Sequence, residues 1–440
     1  MRSRNMTSTT HTQKRQENGK PMLYAGIVIA VGVLGTSLAQ PQVLAHIPLR
    51  NLLKNELHTG RAANAAFFFW IGLAWYFKPI FGIFTDAFPL FGSRRKSYML
   101  IGAALATLSW AMLYFTPHQY GKLLWACIMI NVFMMATSTV VGGYMVETAQ
   151  AISGSGRLTS IRNFVEQFCL IVTGPTAGFL AGIAFGWTTA ACGGVMFLIV
   201  PATVLFLREQ RRKVEAKTLI DNAGKQLAKI VNAKTMWAAA GFMALFYAAP
   251  GISTALFYKQ QNELHLTTQG QGGLVFLSGV FGVLAATLYG GFACRRLDLR
   301  TLLLISLALS VAADIGFLFY SSVGRARMVE SFNGFAYTLA EIALMDLAVR
   351  ATPSGSEGLG FSLMVSVRNF ALMGSDWFGS KLMDAYHLHF NTLVIANGAI
   401  TFIAIPLVLL LPLVIVKTRD AQALHSEPES VLVPVPALQD

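Results

Sequence analysis

Apolar residues occupy the chain in runs of roughly 20, separated by short stretches where Gly, Pro and charges gather. A helix of that length crosses ~30 Å of hydrocarbon. The pattern predicts helical spans over 22–47, 63–86, 97–116, 122–147, 157–183 and 187–207, and a second six over 236–258, 271–293, 298–320, 326–349, 358–384 and 389–416. The long polar interruption, Arg208 to Lys234, falls midway. The chain therefore divides into a cytoplasmic tail (1–21), an N-terminal six-helix bundle (22–207), a cytoplasmic linker (208–235), a C-terminal six-helix bundle (236–416) and a polar, disordered cytoplasmic tail (417–440). Lys14, Arg15 and Lys20 precede an apolar run ending at Ser37-Leu38-Ala39, the form of a secretory signal. Cleavage there would leave an odd number of spans, so the run is read as an uncleaved helix with a basic flank.

Composition agrees with a bilayer rather than a soluble core. Of 440 residues 54% are hydrophobic and 12% charged, about half the charged fraction of a soluble domain. The net charge of +13 sits in the short connections, which points to membrane topology and away from nucleic acid. Alternate connections carry 23 Lys and Arg on one side against 7 on the other, the latter being Arg50, Lys54, Arg61, Lys122, Lys259, Arg325 and Arg327. The excess places both termini and the linker in the cytoplasm of a multi-pass protein of the inner or plasma membrane, read as a monomer.

The chain also repeats itself. Ser160-Ile161-Arg162-Asn163-Phe164 in the fifth span returns as Ser366-Val367-Arg368-Asn369-Phe370 in the eleventh, and Ser153-Gly154-Ser155 returns as Ser354-Gly355-Ser356. Matching places in both halves indicate a parallel duplication. The expected fold class is all-α integral membrane, twelve transmembrane helices in two six-helix bundles, a layout that resembles the major facilitator transporters.

Lys78-Pro79-Ile80-Phe81-Gly82, then Asp86, then Pro89 to Tyr98 with Arg94, Arg95 and Lys96, is the strongest local signal. It reads as a helix ending in an acid, a tight turn and a basic cluster at the next helix start. Positive-inside anchoring accounts for part of the cluster. The acid suggests more: a cytoplasmic latch whose ion pairs form in one access state and break in the other.

This segment resembles the signature of the folate-biopterin transporter family, a branch of the major facilitator superfamily. Pro250 with Phe257-Tyr258 and Asn262-Glu263-Leu264, and Pro353, Gly355 and Glu357-Gly358, resemble it as well. The resemblance implies twelve helices, alternating access and uptake of a small-molecule substrate, a pterin or folate, coupled to protons. The family carries acids spaced four apart near the end of the fourth helix. This chain has Ser138 and Gly142 there and keeps Glu147.

Charges within apolar spans cost several kcal/mol by most scales and face a cavity or a partner. Arg162 has Glu166 four residues on, the spacing of a helix-surface pair. Arg368 has only Met364, Val365, Ala371 and Leu372 at those spacings, about ten residues inside its helix. Its candidate partners are Glu341 and Asp346 in the tenth span, Asp314 in the ninth, or a ligand. A guanidinium fork binds carboxylates bidentately, and folates offer carboxylates. A pterin edge presents paired N–H donors that Glu341 would accept. Both readings, an Arg368–Glu341 structural pair and a substrate contact, remain open at this level. Proton coupling would fall to carboxylates such as Glu341, Glu166, Asp314 and Asp376, since all eight histidines lie in tails or near helix ends. Lys381 and Asp384 suggest a local pair.

Aromatic clusters at Phe67 to Trp70, Trp75 to Phe77 and Phe242 to Tyr247 suit helix packing, with one or two available to stack on a heterocycle. Gly142-Gly143, Gly193-Gly194 and Gly272-Gly273 read as close helix approaches. Cys127, Cys169, Cys192 and Cys294 have no CxxC spacing, so neither a metal site nor a disulfide is expected. No cofactor motif, phosphate-binding loop or nucleophile-base constellation is present, which argues against an enzyme and against ATP-driven transport. The sequence reading is thus a secondary transporter of an organic solute. The alternatives are a carrier for another organic anion, zwitterion or drug, and a non-transporting membrane receptor.

Overall fold

The computed structural model describes residues 23–87, 90–93, 95–151, 155–207, 216–353 and 357–417. Every regular element among them is a helix. Among the described residues, seven helical stretches are long and apolar enough to cross a membrane: Lys96–Phe115, Tyr120–Met145, Phe185–Phe206, Thr268–Ala293, Leu299–Phe319, Val323–Ala351 and Phe390–Leu410. The remaining predicted spans are also helical, but interrupted or more polar.

The interruptions follow the sequence. Helix α1 (Leu23–Leu38) ends just before Pro41, and a short α2 (His46–Asn51) resumes the path, because proline has no N–H to continue the ladder. The second span is α3 (Arg61–Ile71), α4 (Leu73–Tyr76) and α5 (Lys78–Ala87). It breaks at Gly72 and before Pro79, which lies in the first turn of α5 where an N–H is not needed. Then follow α6 (Lys96–Phe115), α7 (Tyr120–Ala151), α8 (Ser155–Leu180), α9 (Phe185–Phe197) and α10 (Ile199–Phe206). The interval expected as a polar linker holds a helix, α11 (Ala216–Asn232). Ile220, Ala223, Leu227 and Ile230 recur at spacings of three and four there, and Ile230 is buried.

The seventh span is two helices, α12 (Lys234–Tyr247) and α13 (Ser253–Asn262), separated at Pro250-Gly251. Beyond them run α14 (Thr268–Leu288), α15 (Cys294–Arg296), α16 (Leu299–Gly316), α17 (Val323–Ala351), α18 (Glu357–Tyr386), α19 (Phe390–Leu407) and α20 (Leu413–Val416). Thr267, Asp298 and Ser322 cap α14, α16 and α17 by accepting from the backbone N–H three residues on.

One apolar core gathers buried residues between Val28 and Leu207, with Phe257 and Tyr258 from farther along. A second gathers residues between Ile230 and Val416. Helices α8 and α14 cross between these regions at glycines: a Cβ on Gly272 would overlap the carbonyl of Gly174. Small residues thus bring two backbones together where lipid gives little hydrophobic drive for helix association.

Candidate functional site: a cavity between broken helices

The breaks in the first and seventh spans meet. A cavity of about 440 Å³ lies against α2, the Ala249–Ile252 break, α13, α16, α17, α18 and α19. Backbone freed by the break finds partners in its walls. Gly251 N–H donates to the Ser375 carbonyl at 3.0 Å, and Asn397 Nδ2 donates to the Pro250 carbonyl at 2.9 Å. Irregular backbone at membrane depth persists only where it is satisfied in this way or lines a cavity. A Cβ on Gly251 would strike the Asp376 backbone, so glycine lets the break lie directly on α18.

Arg50 dominates one wall. It is 3% exposed, and its guanidinium lies between the rings of Phe68 and Phe257, 5.1 and 5.6 Å from their centroids. Nη1 donates to the Ser253 carbonyl at 2.9 Å and Nη2 to Ser253 Oγ at 3.3 Å. Asp376 Oδ2 is 3.5 Å from Nη2. The Asp376 carboxylate is held more closely by α13, accepting from Thr254 N–H at 2.9 Å and Thr254 Oγ1 at 2.6 Å. Glu330 forms a second buried charge on the cavity wall. It accepts from Tyr320 OH at 3.0 Å and Gln260 Nε2 at 3.3 Å, and Gln260 in turn accepts from Gln271 at 3.2 Å. Asp314, with Ser310, Asn397 and Thr401, completes the polar lining; Phe246, Tyr247, Phe317 and Tyr337 supply flat apolar faces.

Gln42 Oε1, Arg50 Nε and Ser310 Oγ are among the buried polar atoms of this wall with no hydrogen-bond partner among the described residues. Each buried polar group left unmet costs about 1–3 kcal/mol. Their convergence on one cavity suits a polar guest. The arrangement offers a guanidinium, three carboxylates and aromatic faces around one cavity, the makings of a small-molecule site.

The seam beside the cavity joins chain segments from before and after 208–235. Lys54 Nζ donates to Gln261 Oε1 at 2.8 Å and Asn262 Oδ1 at 2.6 Å, and partial burial lowers the pKa of its ammonium from the ordinary value. Arg61 Nε meets Asp384 Oδ1 at 2.9 Å, while Asp384 Oδ2 accepts the Ala62 N–H at 2.8 Å. Asp384 therefore pairs with Arg61 rather than with Lys381, because the start of α3 presents both a cation and an unpaired N–H.

The candidate residues read from the sequence fall in separate places. Asp314 and Asp376 line the cavity. Arg368 bonds through Nη2 to Glu341 Oε1 and through Nη1 to Asn369 Oδ1 at 2.8 Å, with its guanidinium 5.3 Å from the centroid of Tyr247. It thus stands behind a cavity aromatic rather than on the wall. Asp346 is held by Arg350 on its own helix at 2.8 Å and by Tyr289 OH at 3.0 Å, so it is not the partner of Arg368. Arg162 Nε donates to Glu166 Oε1 at 2.9 Å along α8.

Of the expected latch, Lys78 Nζ donates to Ser138 Oγ at 3.1 Å and lies 5.5 Å from the Trp75 ring. Lys96 Nζ reaches the Leu207 carbonyl at 3.2 Å, past the end of α10 where a cation is favoured. Arg95 is buried at 5% exposure, packed against Gly143, where an added Cβ would strike its guanidinium. Arg94 and the side chains of Asp86 and Glu147 lie outside the described residues.

Sequence reasoning missed Arg50, taken as a connection cation, and Glu330. Two signals were available. Glu330 is a carboxylate inside the predicted 326–349 span, and Arg50 closes a stretch of mostly apolar residues begun well before it.

The fold is that of the major facilitator transporters. The crystal structure of a D-xylose-proton symporter superposes with a TM-score of 0.67 at 14% identity, covering 88% of this chain and 97% of that one. A nucleoside transporter, NupG, gives 0.64 at 12% identity over 89% and 99%. Residues 42–428 match the BT1 family model, and the chain belongs to that family. Similar curated proteins include the folate-biopterin transporter of Synechocystis sp., 25% identical over 92% of this chain and 84% of that one. Folate transporter 1 of Plasmodium falciparum is 23% identical over 78% and 70%. The chain is accordingly a multi-pass membrane transporter of a small molecule, and not an enzyme.

Proposed function

We propose that this transporter carries a pterin or a folate by alternating access, coupled to proton movement. The observation that carries the reading is the cavity in which Arg50, Asp314 and Glu330 stand among aromatic faces. A pterin is flat and presents paired N–H donors to a carboxylate; a folate adds carboxylates for a guanidinium. The names of the relatives from Synechocystis and Plasmodium point to the same solute class.

In this reading two six-helix halves, 22–207 and 236–416, move as a monomer about the cavity, with both termini and the linker 208–235 in the cytoplasm. The seam formed by Lys54, Arg61 and Asp384 then closes the outer side. Asp314 and Glu330 are the carboxylates that take up and release the proton, while Arg368, bonded to Glu341, braces α18 against α17 behind Tyr247. The Arg162–Glu166 pair braces α8 along its own length, and Asp346, held by Arg350 and by the Tyr289 hydroxyl, ties α17 to the segment after α14. Lys78, Asp86, Arg94, Arg95 and Lys96 form the cytoplasmic latch. Proteoliposomes under an imposed pH gradient test the scheme: labelled folate or biopterin should accumulate against its gradient and equilibrate when the gradient is collapsed. Exchange without accumulation would remove the proton; no flux of either compound would remove the solute class.

A second reading, a carrier for another organic anion, zwitterion or drug, is supported by α7, the fourth span of the sequence pattern. Lys78 meets the hydroxyl of Ser138 where the family carries an acid, and a Cβ at Gly142 would meet open space. A panel of such solutes in the same vesicles separates the two.

A further inference from the structure

We infer that Arg50 is the subsite for a carboxylate of the transported solute, and that the incoming carboxylate takes the place of Asp376. The inference rests on the cavity being the solute site.

The geometry around Arg50 is asymmetric. One edge of the fork is well used, with Nη1 donating to the Ser253 carbonyl at 2.9 Å. The other edge is not. Nη2 has only longer contacts, 3.3 Å to Ser253 Oγ and 3.5 Å to Asp376 Oδ2, and Nε is buried with no acceptor among the described residues. Nε with Nη2 is the pair of parallel donors that a carboxylate engages bidentately. Asp376 does not engage it so, because Thr254 holds both of its oxygens through N–H and O–H donors, at 2.9 and 2.6 Å.

Exchange therefore leaves neither partner stranded. Asp376 keeps its two Thr254 bonds when the guanidinium turns to a ligand, and Arg50 keeps the Ser253 carbonyl. The Phe68 and Phe257 rings packed on the guanidinium lower the polarity around the fork, which strengthens a charged pair formed there. Arg50 follows α1 and Asp376 lies in α18, so a ligand that captures Arg50 also removes an ion pair between segments on opposite sides of the linker. Binding and release of this end become linked through one guanidinium.

Folate, which has carboxylates, and biopterin, which has none, separate this role from a structural one. Binding of each to purified full-length protein is measured by calorimetry, with monodispersity checked by size exclusion. Arg50→Gln should weaken folate at least about tenfold, the loss of one bidentate charge-assisted pair, and leave biopterin within about twofold. Arg50→Lys should recover part of the folate affinity. Asp376→Asn, whose amide oxygen can still accept the Thr254 N–H while its NH2 donates to a reoriented Thr254 Oγ1, removes the competing charge and should tighten folate by about threefold or more without moving biopterin. Should Arg50→Gln fail to fold, the Asp376→Asn result decides alone. Equal weakening of both ligands by Arg50→Gln, or folate affinity unchanged or reduced in Asp376→Asn, overturns the subsite while leaving the solute assignment intact. Binding of neither ligand by the wild type removes the solute assignment and the subsite together.

Discussion

Two arginines, Arg50 and Arg368, each face a carboxylate across a helix boundary, yet their settings differ. Arg50 and Asp376 are 4% and 10% exposed in their side chains, come from opposite sides of the linker, and stand 3.5 Å apart. Arg368 and Glu341 are 19% and 29% exposed, both come after the linker, and are directly bonded. The tight pair joins neighbours in one core, α17 and α18; the loose pair spans the seam and lines the cavity. A strong bond between neighbouring helices serves as a strut, whereas a weaker one across the seam can be exchanged. Buried pairs contribute through such specificity of partner more than through net stability.

The largest effect that would break this contrast is truncation of Arg50. Truncation empties a buried site packed on the Phe68 and Phe257 rings and leaves the Ser253 carbonyl without its donor, which by itself costs about 1–3 kcal/mol, so Arg50→Ala should lower the thermal midpoint of the purified protein more than Arg368→Ala, and should abolish folate flux. An equal or smaller loss than at Arg368 would erase the distinction. Next, a double-mutant cycle on Arg368→Gln and Glu341→Gln should return a coupling of about 1–3 kcal/mol, as for groups in direct contact. The same cycle on Arg50 and Asp376 should return less, since Thr254 and Ser253 satisfy both groups independently.

Smaller still is the effect of Asp384→Asn. Arg61 and Asp384 are each 32% exposed, and pairs of that kind contribute about 0.2–1 kcal/mol. Stability should change little, but if the seam is an access gate, the rate of solute exchange should rise. An unchanged rate would leave Arg50 with Asp376 as the gating contact. The smallest expected change is at Ser138→Asp, which gives Lys78 an ionic partner: flux should change while folate binding to the purified protein stays within about twofold. A large change in binding would extend the solute site toward Lys78.

Much of the architecture was legible because the bilayer imposes a one-dimensional rule. Runs of about 20 apolar residues are spans, and helix limits such as Lys96–Phe115 and Val323–Ala351 fall within a few residues of the pattern. Prolines 41, 79 and 250 mark where spans break, although hydropathy alone draws them as continuous. The amphipathic α11 was less visible, since its polar face dominates the average over a window. Part of the site was legible in the same way: Asp314 and Asp376 stand out as carboxylates in apolar helices, and both line the cavity. Arg368 stands out more strongly, yet its partner is Glu341 and it lies behind Tyr247.

By itself the sequence determined that the chain is helical and membrane-spanning, that a short motif around Arg162 recurs around Arg368, and which charges are too costly to leave in lipid, because hydrophobic length and charge are local properties. Only the tertiary structure decided which charge answers which. Arg50 reads as a loop cation until the breaks after α1 and at Pro250-Gly251 come together and enclose it between Phe68 and Phe257. Burial and partnership depend on residues about 200 and more than 300 positions away, and no spacing along the chain encodes them.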